Sequence, residues 1–351
     1  MGGVETHCQE LYPRLVALGH RVTLFGRAPY LENKEPYEWR GIRVVPLWAP
    51  KKKSLEAILQ TFLGVIRVAM ERNGYDLLHI HAIGPSLLVP VAKLCGIPVV
   101  MTHHGSDYDR QKWGPVAKSV LRTGEMLGCR FADAIVAVSH HIAMFVENRF
   151  HRKAIYIPNG VNLPPLVQPG AMVASLQLQP KQYILTVGRF VPEKGFHDLI
   201  EAFSMLKTGW KLVIAGDADH EDDYNRELKQ RATLDSRIVL TGFIRGKQLA
   251  EVYSNAGLFV LPSYHEGLPI ALLEAISYDL PILASDIPAN LELTEASETF
   301  PVGDVVALSN KLAELTVAPY KTAAAKRRLE HEFNWDMIAR ENENIYFSVV
   351  K

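Results

Sequence analysis

Two glutamates with seven residues between them, Glu266-Gly-Leu-Pro-Ile-Ala-Leu-Leu-Glu274, are the first place where residue types and spacing suggest chemistry. The apolar run Leu258-Phe-Val-Leu-Pro262 precedes them, which places Glu266 in a loop at a strand end and makes Pro269 to Ile276 a helix. At a rise of about 1.5 Å per residue, eight helical positions separate the carboxylates by roughly 12 Å. Carboxylate pairs that cleave one glycosidic bond lie roughly 5–9.5 Å apart. The longer spacing suits two ends of one extended ligand, such as the sugar and the ribose of a sugar nucleotide. Glu274 sits among Ala271-Leu272-Leu273 and Ala275-Ile276, where an unpaired carboxylate is costly, so a ligand partner is expected for it.

A second segment supplies the opposite charge. Gly188-Arg189-Phe-Val-Pro-Glu-Lys194-Gly195 follows the apolar run Tyr183-Ile-Leu-Thr-Val187. Two cations in a strand-to-helix loop, beside a helix N-terminus, make an anion site suited to a diphosphate. Arginine can hold phosphate oxygens bidentately, and lysine acts as a point charge.

These side chains need a scaffold, and apolar runs alternate with helical patterns along the whole chain. Strands are expected near Val22–Phe25, Ile42–Pro46, Leu77–Ile80, Pro98–Thr102, Ala134–Val138 and Ala154–Ile157. A second set falls near Tyr183–Val187, Lys211–Ala215, Ile238–Thr241, Leu258–Leu261 and Pro281–Ala284. Continuous Val/Ile/Leu strands separated by helices indicate parallel sheets covered on both faces, an α/β architecture. Two sets argue for two Rossmann-like domains, with a Pro-rich connection in Asn162–Pro180. His104, Arg189, Gly216, Phe243 and Glu266 each follow a predicted strand, at the edge where open parallel sheets bind ligands.

Composition narrows the function. The chain has 38 basic and 38 acidic residues, which argues against nucleic acid as a partner. Its three cysteines, Cys8, Cys95 and Cys129, form neither a disulfide framework nor a metal-ligand spacing, which suits a reducing compartment. The N-terminus has no apolar signal-peptide region and no uncharged apolar run of about 20 residues exists, so a cytoplasmic location is expected. Lys51-Lys52-Lys53 and the helix carrying Lys118, Arg122 and Arg130 offer basic surface for peripheral contact with the inner face of a membrane, or are plain solvated surface.

Taken together, the chain resembles the retaining glycosyltransferases of the GT-B fold, in particular family 4, typed by its Glu-x7-Glu motif. Five segments carry the resemblance in order: Gly2-Gly3-Val4-Glu5-Thr6, Thr102-His103-His104-Gly105, Ile157-Pro158-Asn159-Gly160-Val161, the Arg189/Lys194 loop and the Glu266/Glu274 segment. The resemblance implies two domains facing across a cleft, an acceptor-side domain over 1–162 and a nucleotide-sugar-binding domain over 163–333. It also implies that 334–351 packs back on the first domain. It assigns His104 and Glu266 to the reaction centre. Arg189, Lys194, Gly267, Leu268, Glu274, Phe243, Gly2 and Gly3 fall to the donor, with backbone N–H groups near Gly267-Leu268 opening the helix. The implied donor is a UDP- or GDP-linked hexose, and the implied acceptor a saccharide or lipid-linked saccharide. No cofactor and no metal are expected. The family carries a strand ahead of the Gly2-Gly3 loop that is absent here, so either the start is mis-assigned, or the chain is truncated, or the first sheet lacks a central strand, and reduced stability of the first domain is expected.

Other readings stay open. Consecutive residues at a strand end point to opposite sides, so only one of His103 and His104 faces the ligand. His79 and His81 read as structural or site-lining. Ser139 reads as a helix N-cap rather than a nucleophile. Asp217-Ala218-Asp219 has the form of a metal motif, but its place after Val213-Ile214-Ala215-Gly216 matches a strand end of the GT-B family. A same-fold epimerase or phosphorylase, or a truncated fragment that binds nucleotide without turnover, are the alternatives to a transferase.

Overall fold

In the computed structural model, residues 3–50, 56–71, 74–109, 113–218, 221–318 and 328–350 are described. The chain divides into two compact units, one of Val4–Asn159 with Trp335–Lys351 and one formed mainly by Gly160–Asn334.

Among the described residues of the first unit, helices α1 (Gly3–Ala17), α2 (Glu56–Met70), α3 (Val89–Leu94), α4 (Pro115–Phe131) and α5 (His140–Phe150) accompany seven strands. These are β1 (Thr23–Arg27), β2 (Tyr37–Trp39), β3 (Ile42–Leu47), β4 (Leu78–His81), β5 (Val99–His103), β6 (Ala134–Ala137) and β7 (Ile155–Tyr156). Local chemistry sets several ends. Pro115 opens α4, where its missing N–H costs nothing. Ser139 caps α5 by accepting from Ile142 N at 3.3 Å, and His151 ends that helix in the left-handed conformation.

The strands form two sheets, ordered β1-β3-β2 and β4-β5-β6-β7. All pairs are parallel except β2 with β3, a short antiparallel pair that the apolar pattern did not indicate. Among the described residues no strand pairs with the second edge of β1 or of β4. Accordingly β1 is only half-buried throughout and β4 mostly so, whereas every residue of β5 is buried. One core nevertheless spans both sheets: Leu11, Tyr12 and Leu15 of α1 pack with Ile42, Val44, Val100 and Val136. The last helix, named α13 below (Trp335–Val349), adds Trp335, Ile338, Ala339, Ile345 and Tyr346 to that core.

The second unit carries α6 (Ala171–Ser175), α7 (Phe196–Ser204), α8 (Asp223–Thr233), α9 (Gly246–Asn255), α10 (Ile270–Ser277), α11 (Pro288–Leu291) and α12 (Val305–Val317). Its strands are β8 (Tyr183–Val187), β9 (Lys211–Ala215), β10 (Ile238–Gly242), β11 (Leu258–Leu261), β12 (Ile282–Ser285) and β13 (Thr299–Phe300). They form one parallel sheet in the order β10-β9-β8-β11-β12-β13. This is the doubly wound arrangement, with its direction of winding reversing between β8 and β11. A crevice forms outside the carboxyl ends of the strands at such a reversal.

Candidate active site

At that reversal the loops after β8 and β11 meet. Lys194 closes a short 3-10 turn, Pro192–Lys194, and its ammonium donates to Glu266 Oε1 at 2.5 Å. Ser263 Oγ donates to the same oxygen at 2.7 Å, and Tyr264 N donates to Glu193 O at 2.9 Å. Burial alone would raise the Glu266 carboxyl, but Lys194 and then Ser263 more than reverse this and hold it below its ordinary value of 4.5. Glu266 is therefore an ionised carboxylate.

Two glycines permit this close approach. Gly195 follows Lys194 at φ +65°, and a Cβ there would collide with the carbonyl oxygen of Pro262, which leads into the Glu266 loop. Gly216, at φ +143°, presses in the same way on the carbonyl of Gly188. Backbone bonds from Gly188 N to Ala215 O and from Gly216 N to Gly242 O, both 3.0 Å, draw the ends of β8, β9 and β10 together. Arg189 follows Gly188 directly, and Phe243, 47% exposed, follows β10.

The two glutamates of the motif have separate partners. Glu274 lies half-buried on α10 and accepts from the Tyr253 hydroxyl of α9 at 3.0 Å. An intramolecular donor thus meets part of the cost that the sequence assigned to a ligand. The helix also opens later than expected: α10 starts at Ile270 with Pro269 as its N-cap, so Gly267 and Leu268 precede its first turn. Asp217 is bound to Lys229 at 2.8 Å and accepts from Ala218 N. Burial pushes its carboxyl up and Lys229 with Ala218 N pulls it lower overall. Asp219 lies outside the described residues.

The first unit holds a second constellation, made of histidines. His103 and His104 diverge. His103 is fully buried, accepts from Gly105 N at 3.2 Å and donates from Nε2 to Glu125 of α4 at 2.8 Å. His104 instead meets β4, its Nε2 lying 3.0 Å from His81 Nδ1. His81 Nε2 is 2.5 Å from the Tyr12 hydroxyl, and His79 is stacked on His81 with ring centroids 4.3 Å apart. His7 of α1 completes the group, with ring centroids 5.0 Å from His104 and 5.3 Å from His81. Its Nδ1 is 2.9 Å from Asn159 Oδ1. Burial lowers His7 to about 4 against the smaller opposing effect of Asn159. It lowers His79 to about 3, with His7 adding to it. Burial, then the neighbouring rings, also holds His81 and His104 well below the ordinary histidine value. All four are neutral at pH 7.

His7 is the residue sequence reasoning missed. Its signal was present: it lies four positions before Leu11 on the buried stripe of α1, where an apolar side chain is expected. Gly3 is the first residue of α1, while Gly2 and Lys51-Lys52-Lys53 lie outside the described residues.

Comparison with known proteins covers both units. The family described as Glycosyltransferase Family 4 matches residues 1–164, and that described as Glycosyl transferases group 1 matches residues 172–328. A putative teichuronic acid biosynthesis glycosyltransferase of Bacillus subtilis is 27% identical over 364 residues, covering 94% of this chain and 85% of that protein. Sucrose-phosphate synthase from Thermosynechococcus elongatus has a similar fold, with a TM-score of 0.82 at 24% identity, covering 99% of this chain and 93% of that one. The Anabaena protein HepE in complex with UDP-glucose gives a TM-score of 0.78 at 19% identity, covering 99% and 96%.

Proposed function

The chain belongs to the family 4 glycosyltransferases of the GT-B fold, and from that premise we propose that it moves a hexose from a nucleoside-diphosphate sugar to a hydroxyl of a saccharide or lipid-linked saccharide, with retention at the anomeric carbon. The observation that carries this reading is the meeting of Lys194 and Glu266, 72 positions apart in sequence, where the winding of the second sheet reverses.

The leaving diphosphate gains negative charge as the glycosidic bond breaks. Preorganised positive charge at that point stabilises the transition state more than any other device a protein commonly has. Lys194 has three N–H donors and spends one on Glu266, which aims the ammonium and leaves donors for phosphate oxygens. Arg189 adds a bidentate fork. In this role the two cations make a metal at the diphosphate unnecessary. Glu266 takes hydroxyls of the donor sugar and Glu274, oriented by Tyr253, takes those of the ribose. Gly267, Leu268 and Phe243 line the donor through backbone groups, and Gly3 offers it backbone without a side chain. The family resemblance assigns His104 to the reaction centre, where this neutral imidazole, its Nε2 paired with His81, has Nδ1 left to donate one hydrogen bond.

A UDP-linked hexose is the favoured donor, supported by the UDP-glucose bound to the Anabaena neighbour. The Bacillus relative's name supports a role in cell-surface polysaccharide synthesis. We place the reaction in the cytoplasm, peripheral to the membrane that carries the acceptor. Among the described residues no helix is long and apolar enough to cross a membrane.

A thermal-shift screen against UDP-, GDP-, ADP- and dTDP-sugars tests the reading, with Lys194→Ala as control. A stabilising shift with one nucleotide, lost in the control, is expected. Cooperative melting with no shift from any donor would overturn it.

A further inference from the structure

We propose that His7, His81 and His104 form a binding site for one zinc-class transition-metal ion within the first unit. One nitrogen from each ring lies within 4.8 Å of the others, the one such grouping of three histidine, cysteine or acidic ligands among the described residues.

The strongest sign is an unpaired atom. His7 is 1% exposed, and its Nε2 is buried with no hydrogen-bond partner. The Asn159 Oδ1 carbonyl can only accept, so His7 Nδ1 carries the hydrogen and Nε2 presents a bare lone pair. Leaving such a group unsatisfied in the interior is costly. A cation would satisfy it, whereas no donor among the described residues does.

The other two rings are already at ligand spacing. His81 Nδ1 and His104 Nε2 are 3.0 Å apart. Two nitrogens at about 2.0–2.1 Å from a tetrahedral zinc are about 3.3 Å apart. The ion therefore replaces the hydrogen shared by these rings, after a small spreading of the pair and an inward shift of His7. No proton need leave the site. His81 moves its hydrogen to Nε2, where it donates to the Tyr12 oxygen, and His104 carries its own on Nδ1.

The surroundings match what bound imidazoles require. Metal-bound histidines have their remote nitrogen fixed by a polar partner, which Asn159 supplies to His7 and Tyr12 to His81. His79 is excluded as a ligand because Tyr346 and Thr102, each at 2.7 Å, occupy both its nitrogens. Three neutral imidazoles and no carboxylate select Zn2+, Co2+, Ni2+ or Cu2+ over Mg2+ and Ca2+. Three protein ligands leave the fourth tetrahedral position open. The ion would tie α1 to β4 and to the end of β5.

The test is a titration of chelator-stripped full-length protein with Zn2+ and Co2+, read by equilibrium dialysis, with X-ray absorption of the zinc-loaded wild type. One ion per chain is expected, with intense tetrahedral Co2+ absorption, imidazole ligation in the zinc spectrum and no competition from Mg2+. His7→Gln, checked for folding by circular dichroism, should weaken binding at least about tenfold, and Asn159→Ala about 10–100-fold. No bound ion in the wild type, a zinc shell without imidazole, or unchanged binding in folded His7→Gln would overturn the proposal. These readouts do not use sugar transfer, so they stand or fall separately from the proposed reaction.

Discussion

Removing Lys194 should harm the protein more than removing its partner, and the asymmetry follows from how deeply each charge is buried. The Glu266 side chain is 11% exposed and that of Lys194 is 20% exposed. Breaking a buried pair by deleting one member costs about 3–5 kcal/mol, because the other charge stays buried. In Lys194→Met the carboxylate keeps only the Ser263 hydroxyl among the donors described above, and its slight exposure lowers the cost to about 2–3 kcal/mol. In Glu266→Gln the amide oxygen can keep the Ser263 bond, and the lysine stem can carry its ammonium toward water, so about 1 kcal/mol is expected. The double variant should be less damaged than the sum of the singles, with a coupling of about 1–2 kcal/mol. Urea unfolding by circular dichroism gives the three values. Hydrogen exchange over residues 258–277 shows whether the loss is local to β11 and α10. A cost below about 0.5 kcal/mol for Lys194→Met, with no coupling, would refute the ion pair and the electrostatics built on it.

The same pair gives a pH signature. Because the folded Glu266 carboxyl lies below its ordinary 4.5, its contribution is fully present above that pH and is lost as pH falls through the folded value. In Lys194→Met burial is left to raise the carboxyl, so the contribution should change sign and stability should rise slightly on acidification, as urea midpoints at pH about 6, 5 and 4 will show. Gly195→Ala should cost about 2–5 kcal/mol, the sum of a left-handed alanine and a displaced Pro262 carbonyl. Gly242→Ala, at φ +67° with open space around it, should cost only about 1–2 kcal/mol in the same unfolding assay. Tyr253→Phe should raise KM for the donor several-fold with little change in kcat, by removing one bond that orients Glu274; an unchanged KM would rule out Tyr253 as a residue that positions Glu274 for the ribose.

Much of this was legible because the second sheet is built from continuous buried runs. Tyr183–Val187 and Leu258–Leu261 can be read as strands from composition alone, and charged residues just beyond them stand out. Ser139 was readable as a cap because its chemistry is local. The contacts that define the sites are not local. Nothing in the Lys194 loop announces Glu266, and Glu274 gave no hint of Tyr253, since each pairing depends on strand order. His7 was hidden by its helix, where a buried histidine occupies a position that periodicity assigns to the core. The late start of α10 reflects Pro269, whose extended backbone makes it the cap rather than the first helical residue. That β1 and β4 each keep one edge without a partner strand among the described residues depends on strand order, which the pattern within a single strand does not carry.

The proposed reaction depends on Arg189 and Lys194 holding the β-phosphate of a nucleoside-diphosphate sugar where the second sheet reverses. Calorimetric titration of UDP against UMP, in the wild type, Arg189→Ala and Lys194→Met, isolates that contact. Wild-type protein should prefer UDP by at least about tenfold, roughly 1.4 kcal/mol. The preference should collapse in both variants while UMP affinity changes little. Equal binding of UDP and UMP, or a preference that survives loss of either cation, would rule out a diphosphate site built on these two side chains.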